Sequence, residues 1–193
     1  MKKLIGKNIH KTVIFISGKG TNLLSLIKFS YTKNSPIKIE AVISDKSKAK
    51  GLNLAKKYNI EKFVINFKKR SAAERKILAF LNKNKIDLVC LAGFMKILSK
   101  NFIKKYRGKI LNIHPSLLPK YKGLNTHERV IKNKEKYSGC TVHFVNSRLD
   151  AGKIILQKKV KISKNETERS LAQKILVQEH KLYPKAILKV FNL

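Results

Sequence analysis

The sequence predicts an α/β protein built on an open, mostly parallel sheet flanked by helices. Three observations carry that expectation. Continuous apolar runs such as Thr12-Val-Ile-Phe-Ile-Ser17, bounded by glycine, read as strands buried on both faces. Stretches with apolar residues at helical spacing alternate with those runs, as βαβ units require. A length of 193 residues with 43% hydrophobic content suits one core, so a single domain over 1–193 is expected.

Along the chain, the Thr12–Ser17 strand leads through Gly18 and Gly20 into a helix from about Asn22, with Leu23, Leu24, Ile27 and Tyr31 on one face. Ile37–Ser44 is a second strand, 48–58 a second helix and 63–66 a third strand. Ser71-Ala-Ala-Glu74 has the spacing of a capping box and opens a helix carrying Ala73, Ile77, Phe80 and Leu81. Asp87–Ala92 and Lys109–Ile113 are further strands. After residue 115 the pattern changes: a Pro-Gly loop over 114–124, a short helix over 126–134, and two β-like segments, 140–145 and 153–162. A long helix follows from about Glu166, which Pro184 should kink or end.

Composition narrows the class. The chain has 44 Lys plus Arg against 11 Asp plus Glu, a formal charge of +33. Such a charge suits nucleic acid, because each cation near a phosphate releases a counterion. The lysines are scattered, however, and arginine is scarce although its fork suits phosphate better. A compositional origin is preferred. No run has the ~18 apolar residues of a membrane helix. Met1–Lys7 is basic without a continuous apolar stretch, so it is not a signal peptide. Two isolated cysteines, Cys90 and Cys140, exclude a disulfide framework and a CxxC metal site. A cytoplasmic location is expected, with no membrane partner. With only Asp45, Asp87 and Asp150 in the chain, each aspartate calls for a reason.

Three segments can carry chemistry. Ser17-Gly-Lys-Gly-Thr-Asn22 joins a strand to a helix, where glycines admit an anion to the helix N-terminus. It fits neither a Walker loop nor a full dinucleotide fingerprint, and a tight turn without ligand is the plainer reading. In Asn112-Ile-His-Pro-Ser-Leu-Leu-Pro119, Asn112 and His114 share one face of a strand end, at the sheet edge where α/β proteins bind ligands. Asn can donate to an oxyanion, and His can move a proton near neutrality. In Arg148-Leu-Asp-Ala-Gly-Lys153, Asp150 would raise and orient an adjacent imidazole, unless it merely forms an Asx turn before Gly152.

These segments, with Leu88-Val-Cys-Leu-Ala-Gly-Phe-Met-Lys-Ile-Leu98 and Gln178-Glu-His-Lys-Leu-Tyr-Pro184, make the chain resemble the phosphoribosylglycinamide formyltransferases, folate-dependent enzymes of purine synthesis. The resemblance runs over nearly the whole chain. It implies a Rossmann-like sheet with an antiparallel C-terminal extension and a long C-terminal helix. It implies a catalytic trio of Asn112, His114 and Asp150, with Asn112 also touching folate. Gly20, Thr21 and Asn22 match the loop that holds the substrate phosphate, and Glu179 the acid on the ribose hydroxyls. Met95, Lys96, Ile97 and Leu98 match the folate-pocket segment, and Arg70 a further folate contact. Lys122 and Lys153 stand where that family often has proline, and Lys96 where it often has arginine.

The implied reaction moves a formyl group from 10-formyltetrahydrofolate, a co-substrate, to the amine of glycinamide ribonucleotide, with no metal. Both partners are small molecules, nucleic acid is not expected, and the protein is expected to be a monomer or homodimer. Two alternatives stand beside this reading. One is a methionyl-tRNA formyltransferase-like catalytic domain, which shares the Asn-x-His-Pro motif but adds a basic C-terminal domain. The other is a non-catalytic basic nucleic-acid binder.

Overall fold

The computed structural model describes residues 8–193, and the signal-peptide question at Met1–Lys7 lies outside the described residues. The elements run β1 (His10–Ile16), α1 (Thr21–Ser30), β2 (Ile37–Ser44), α2 (Gly51–Lys57), β3 (Glu61–Val64), α3 (Arg70–Lys83) and β4 (Leu88–Leu91). They continue with α4 (Lys100–Lys105), β5 (Lys109–His114), α5 (Thr126–Lys132), β6 (Tyr137–Phe144), β7 (Ile154–Lys161) and α6 (Glu168–Val190). One sheet holds all seven strands in the order β3-β2-β1-β4-β5-β6-β7. The first five pair in parallel, while β6 runs antiparallel to β5 and β7 antiparallel to β6.

The continuous apolar run in β1 has a direct cause. Ile14 and Ile16 pack on one face of the sheet in the core shared with α1, α2 and α6. Val13 and Phe15 pack on the other, in the core shared with α3 and α4. All four are fully buried, each contributing roughly 1.5–3 kcal/mol relative to exposure.

Helix α6 lies across β6, β7 and α1. Its Tyr183 is fully buried, with the hydroxyl 3.2 and 3.1 Å from the carbonyls of Leu91 and Leu111, so it ties the helix to β4 and β5. Pro184 does not end this helix, which continues to Val190. Proline has no N–H to give the carbonyl four residues back. That carbonyl, of His180, instead accepts a 2.8 Å hydrogen bond from Ser25 Oγ on α1.

Several local expectations are corrected. Ser71 and Glu74 form no capping box, because α3 starts at Arg70 and its N-cap, Lys69, has no side-chain cap bond. Glu74 is buried and turned to Ser99, accepting from its amide at 2.7 Å and its hydroxyl at 2.5 Å. Ser99 is the N-cap of α4, a helix that periodicity did not announce. The reciprocal capping box is at Thr167 and Ser170, at the start of α6. Tyr31 is 68% exposed, and Leu26 fills the place on the buried face of α1 expected of it. Strand β3 begins two residues early, because its register follows Ala41–Ser44 of β2. Among the described residues, no helix is long and apolar enough to cross a membrane.

Candidate active site

The sheet order reverses between β1 and β4, so the carboxyl ends of β1, β4 and β5 border the crevice where open α/β sheets bind ligands. Asn112 and His114 lie two apart at the end of β5, on one face as the strand period requires. Asp150 reaches them from the loop between β6 and β7. Two features shape that loop. A Cβ at Gly152 would run into the Phe144 carbonyl, and Asn146 bonds both the Arg148 amide and the Ala151 carbonyl. Asn146 therefore makes the Asx turn, which frees the Asp150 carboxylate. Asp150 itself has φ +45°, a left-handed conformation that aspartate tolerates better than most residues.

The trio converges. Asp150 Oδ2 lies 3.5 Å from His114 Nδ1 and accepts the Gly123 amide at 2.8 Å. Asn112 Nδ2 is 3.5 Å from Asp150 Oδ1 and 3.2 Å from His143 Nε2. His143, which lies outside the three segments singled out in the sequence, is the direct cross-strand partner of Asn112. Its Nδ1 donates to the Phe144 carbonyl at 2.8 Å, and its Nε2 lies 3.7 Å from Asp150 Oδ1. The β6–β7 register shifts between Val142 and His143, a bulge beside the site.

Burial decides the protonation of His114. Asp150 raises His114 as expected, but desolvation by burial is larger than the raising effects of the Tyr121 carbonyl and Asp150, so the net shift is downward from the ordinary histidine value. His143 and Arg129 add to the lowering. Because His114 Nε2 lies 2.9 Å from the Tyr121 carbonyl, which can only accept, Nε2 carries an N–H, and Nδ1 is the nitrogen that faces Asp150. Burial also acts to raise Asp150, but His143, the Gly123 amide and His114 together leave its pKa below the ordinary aspartate value.

A second cluster brings Asn22 and Glu179 together from opposite ends of the chain. Asn22 Nδ2 donates to Glu179 Oε2 at 2.7 Å, and both residues are buried. Burial raises the Glu179 carboxyl, with the Asn22 bond opposing. Asn22 Oδ1 is buried without a partner, an acceptor directed at any hydroxyl that enters here. Next to it, Gly20 has φ +79° and its Cα packs against Gly51; a Cβ would stand 2.7 Å from the Gly51 Cα. No side chain caps α1 and no acid occupies its first turn, so Gly20 and Thr21 stand at a helix N-terminus suited to an anion.

The 95–98 segment borders the same crevice. The Met95 amide donates to Ser17 Oγ at 2.8 Å, and Ser17 Oγ donates to Asp45 at 2.5 Å. Lys96 lies 3.9 Å from Asp45. Met95 and Ile97 are 58% and 61% exposed, an apolar pair at the rim, whereas Leu98 is part of the core beneath. Arg70 is exposed at the first residue of α3, and no hydrogen bond or ion pair joins it to 95–98. Its approach loop meets the residue just before that segment, through the edge-to-face pair of Phe67 and Phe94.

A family model described as Formyl transferase matches residues 10–187. The chain belongs to the formyl transferase family. It is 43% identical over 182 residues to the "Phosphoribosylglycinamide formyltransferase" of Haemophilus influenzae, covering 93% of this chain and 86% of that protein. It is also 43% identical over 184 residues to the human "Trifunctional purine biosynthetic protein adenosine-3", covering 94% of this chain but only 18% of that much longer protein. A crystal structure of phosphoribosylglycinamide formyltransferase from Brucella melitensis superposes with a TM-score of 0.88 at 44% identity, covering 94% of this chain and 95% of that one.

Two groups in this candidate site escaped sequence reasoning. His143 is placed by antiparallel register, and its position opposite Asn112 could have been found only by pairing the strands. Tyr121 acts through its backbone carbonyl, which no residue type reveals. Among the described residues, no group of three or more His, Cys, Asp or Glu is placed to hold a metal ion.

Proposed function

We propose that this chain, as one domain over 1–193, transfers the formyl group of 10-formyltetrahydrofolate to the amine of glycinamide ribonucleotide, in the cytoplasm. The observation that carries the reading is His114 Nδ1 facing the Asp150 carboxylate across 3.5 Å, with the Asn112 amide beside both. The neutral amine attacks the formyl carbon, and negative charge develops on the former carbonyl oxygen. Asn112 Nδ2 donates to that oxygen, an effect worth about 10²–10³ in rate. The attacking nitrogen loses its proton to His114 Nδ1, and the adjacent Asp150 stabilises the imidazolium so formed. Collapse breaks the bond to the folate nitrogen, which takes the proton back from Nδ1. Reaction therefore leaves His114 as it began.

The substrates are assigned by chemistry. Gly20, Thr21 and Asn22 offer the helix N-terminus to the phosphate, while Glu179 and the orphaned Asn22 Oδ1 suit ribose hydroxyls. Met95, Lys96, Ile97 and Leu98 border the folate site, where the exposed Met95 and Ile97 would cover an aromatic ring system and Lys96 and Arg70 would meet its carboxylates. Asp150→Asn tests the assignment. Turnover should fall about 100-fold or more, while calorimetric affinity for glycinamide ribonucleotide stays close to that of the unmodified protein. Near-normal turnover would remove Asp150 from the mechanism.

A further inference from the structure

The segment between β4 and α4 is neither strand nor helix, so its backbone groups must find partners outside a regular ladder. It carries Met95 and Ile97 at the rim of the crevice and ends on Leu98 in the core. One residue holds its start twice. The Ser17 amide donates to the Gly93 carbonyl at 3.1 Å, and Ser17 Oγ accepts from the Met95 amide at 2.8 Å. A hydroxyl can turn either its proton or a lone pair toward a neighbour, and Asp45 decides which. Ser17 Oγ donates to Asp45 Oδ1 at 2.5 Å, so its proton points at the carboxylate and a lone pair is left for the amide. Asp45 directly follows β2, and its side chain is only 1% exposed. A carboxylate at that depth is costly unless donors meet it. Its second oxygen lies 3.9 Å from Lys96 Nζ, on the same segment that Ser17 holds. Asp45 therefore grips this segment twice, once through Ser17 and once directly.

Ser17 also opens the loop that leads to Gly20, Thr21 and Asn22, but that loop has anchors of its own. The Gly18 carbonyl accepts the Gly51 amide at 3.0 Å, and the Gly20 carbonyl accepts the Leu24 amide at 2.9 Å. Neither bond passes through the Ser17 hydroxyl or Asp45. We propose that Asp45, acting through the Ser17 hydroxyl, is a positioning residue that holds the 95–98 segment in the shape that receives folate, while the ribonucleotide loop keeps its shape without it. The proposal rests on the reading of 95–98 as the border of the folate site. Without the carboxylate, the Ser17 hydroxyl is free to rotate and the Met95 amide loses its fixed acceptor, although no group that touches either substrate has been removed.

The test uses the full chain and two readouts. Steady-state kinetics give KM for each substrate. Because the chain has only two methionines, ¹⁵N-methionine labelling lets NMR follow hydrogen exchange at the Met95 amide of the substrate-free protein. Asp45→Ala should raise KM for 10-formyltetrahydrofolate about 10-fold, as loss of a hydrogen bond to a charged group implies. It should leave KM for glycinamide ribonucleotide unchanged and speed exchange at Met95. Ser17→Ala should reproduce both effects, and the Ser17→Ala/Asp45→Ala pair should be no worse than the more impaired single variant. Asp45→Asn keeps an acceptor for the Ser17 hydroxyl and should recover most of the folate KM and the slow exchange. An unchanged folate KM in an active Asp45→Ala, equal rises in both KM values, or an Asp45→Asn as impaired as Asp45→Ala would overturn the proposal. Faster Met95 exchange in a chain that transfers no formyl group would uphold the tether and defeat the folate reading, so the two fail separately.

Discussion

At the scale of residues, the site is governed by burial acting on a small number of polar groups. His114 is 6% exposed, and desolvation outweighs its favourable neighbours, so its pKa lies below 6.5. The neutral form is the one that accepts the proton. Activity is therefore full above the folded-state pKa and lost as pH falls through it, and the acid limb of kcat/KM should lie below pH 6.5. A limb above that value would mean that Asp150 dominates after all. Asn112 and His114 could be read from sequence because a strand places alternate residues on one face. His143 could not, since its position depends on the register of a later antiparallel strand and on a bulge. The three aspartates each have a structural reason. Asp150 meets His114, Asp45 receives the Ser17 hydroxyl, and Asp87 accepts the Lys11 amide at 2.9 Å.

At the scale of elements, the helices and strands were legible where apolar periodicity was strong, and their ends were not. The Ser71–Glu74 motif has the spacing of a capping box, but spacing cannot tell whether an acid turns back to its own helix or across to another. Glu74 turns across and joins α3 to the N-cap of α4. Glu74→Ala would leave the half-buried Ser99 donors without their charged acceptor, and should cost about 1–3 kcal/mol. Urea denaturation would register this as a lower midpoint at unchanged slope; an unmoved midpoint would show the bridge to be idle. Pro184 teaches the same lesson in reverse. Its local cost was legible, but the compensation by Ser25 on α1 comes from the far end of the sequence.

At the scale of the whole molecule, the parallel sheet and the long last helix were legible because alternating buried strands and helices admit few other topologies, whereas the antiparallel extension followed only from the family resemblance. The charge of +33 was harder to interpret, because composition does not say whether cations serve a ligand or only repel one another. Self-repulsion makes a checkable claim. Salt shortens the screening length from about 30 Å at 0.01 M to about 8 Å at 0.15 M, so Tm should rise over that range. A flat or falling Tm would mean that the acids, few as they are, already balance the lysines locally. Formyl transfer to the ribonucleotide is the proposed reaction. The purified chain, given 10-formyltetrahydrofolate with glycinamide ribonucleotide and, separately, with charged initiator tRNA, should formylate the ribonucleotide and leave the tRNA untouched; no transfer to the ribonucleotide, or transfer to the tRNA in its place, would contradict it.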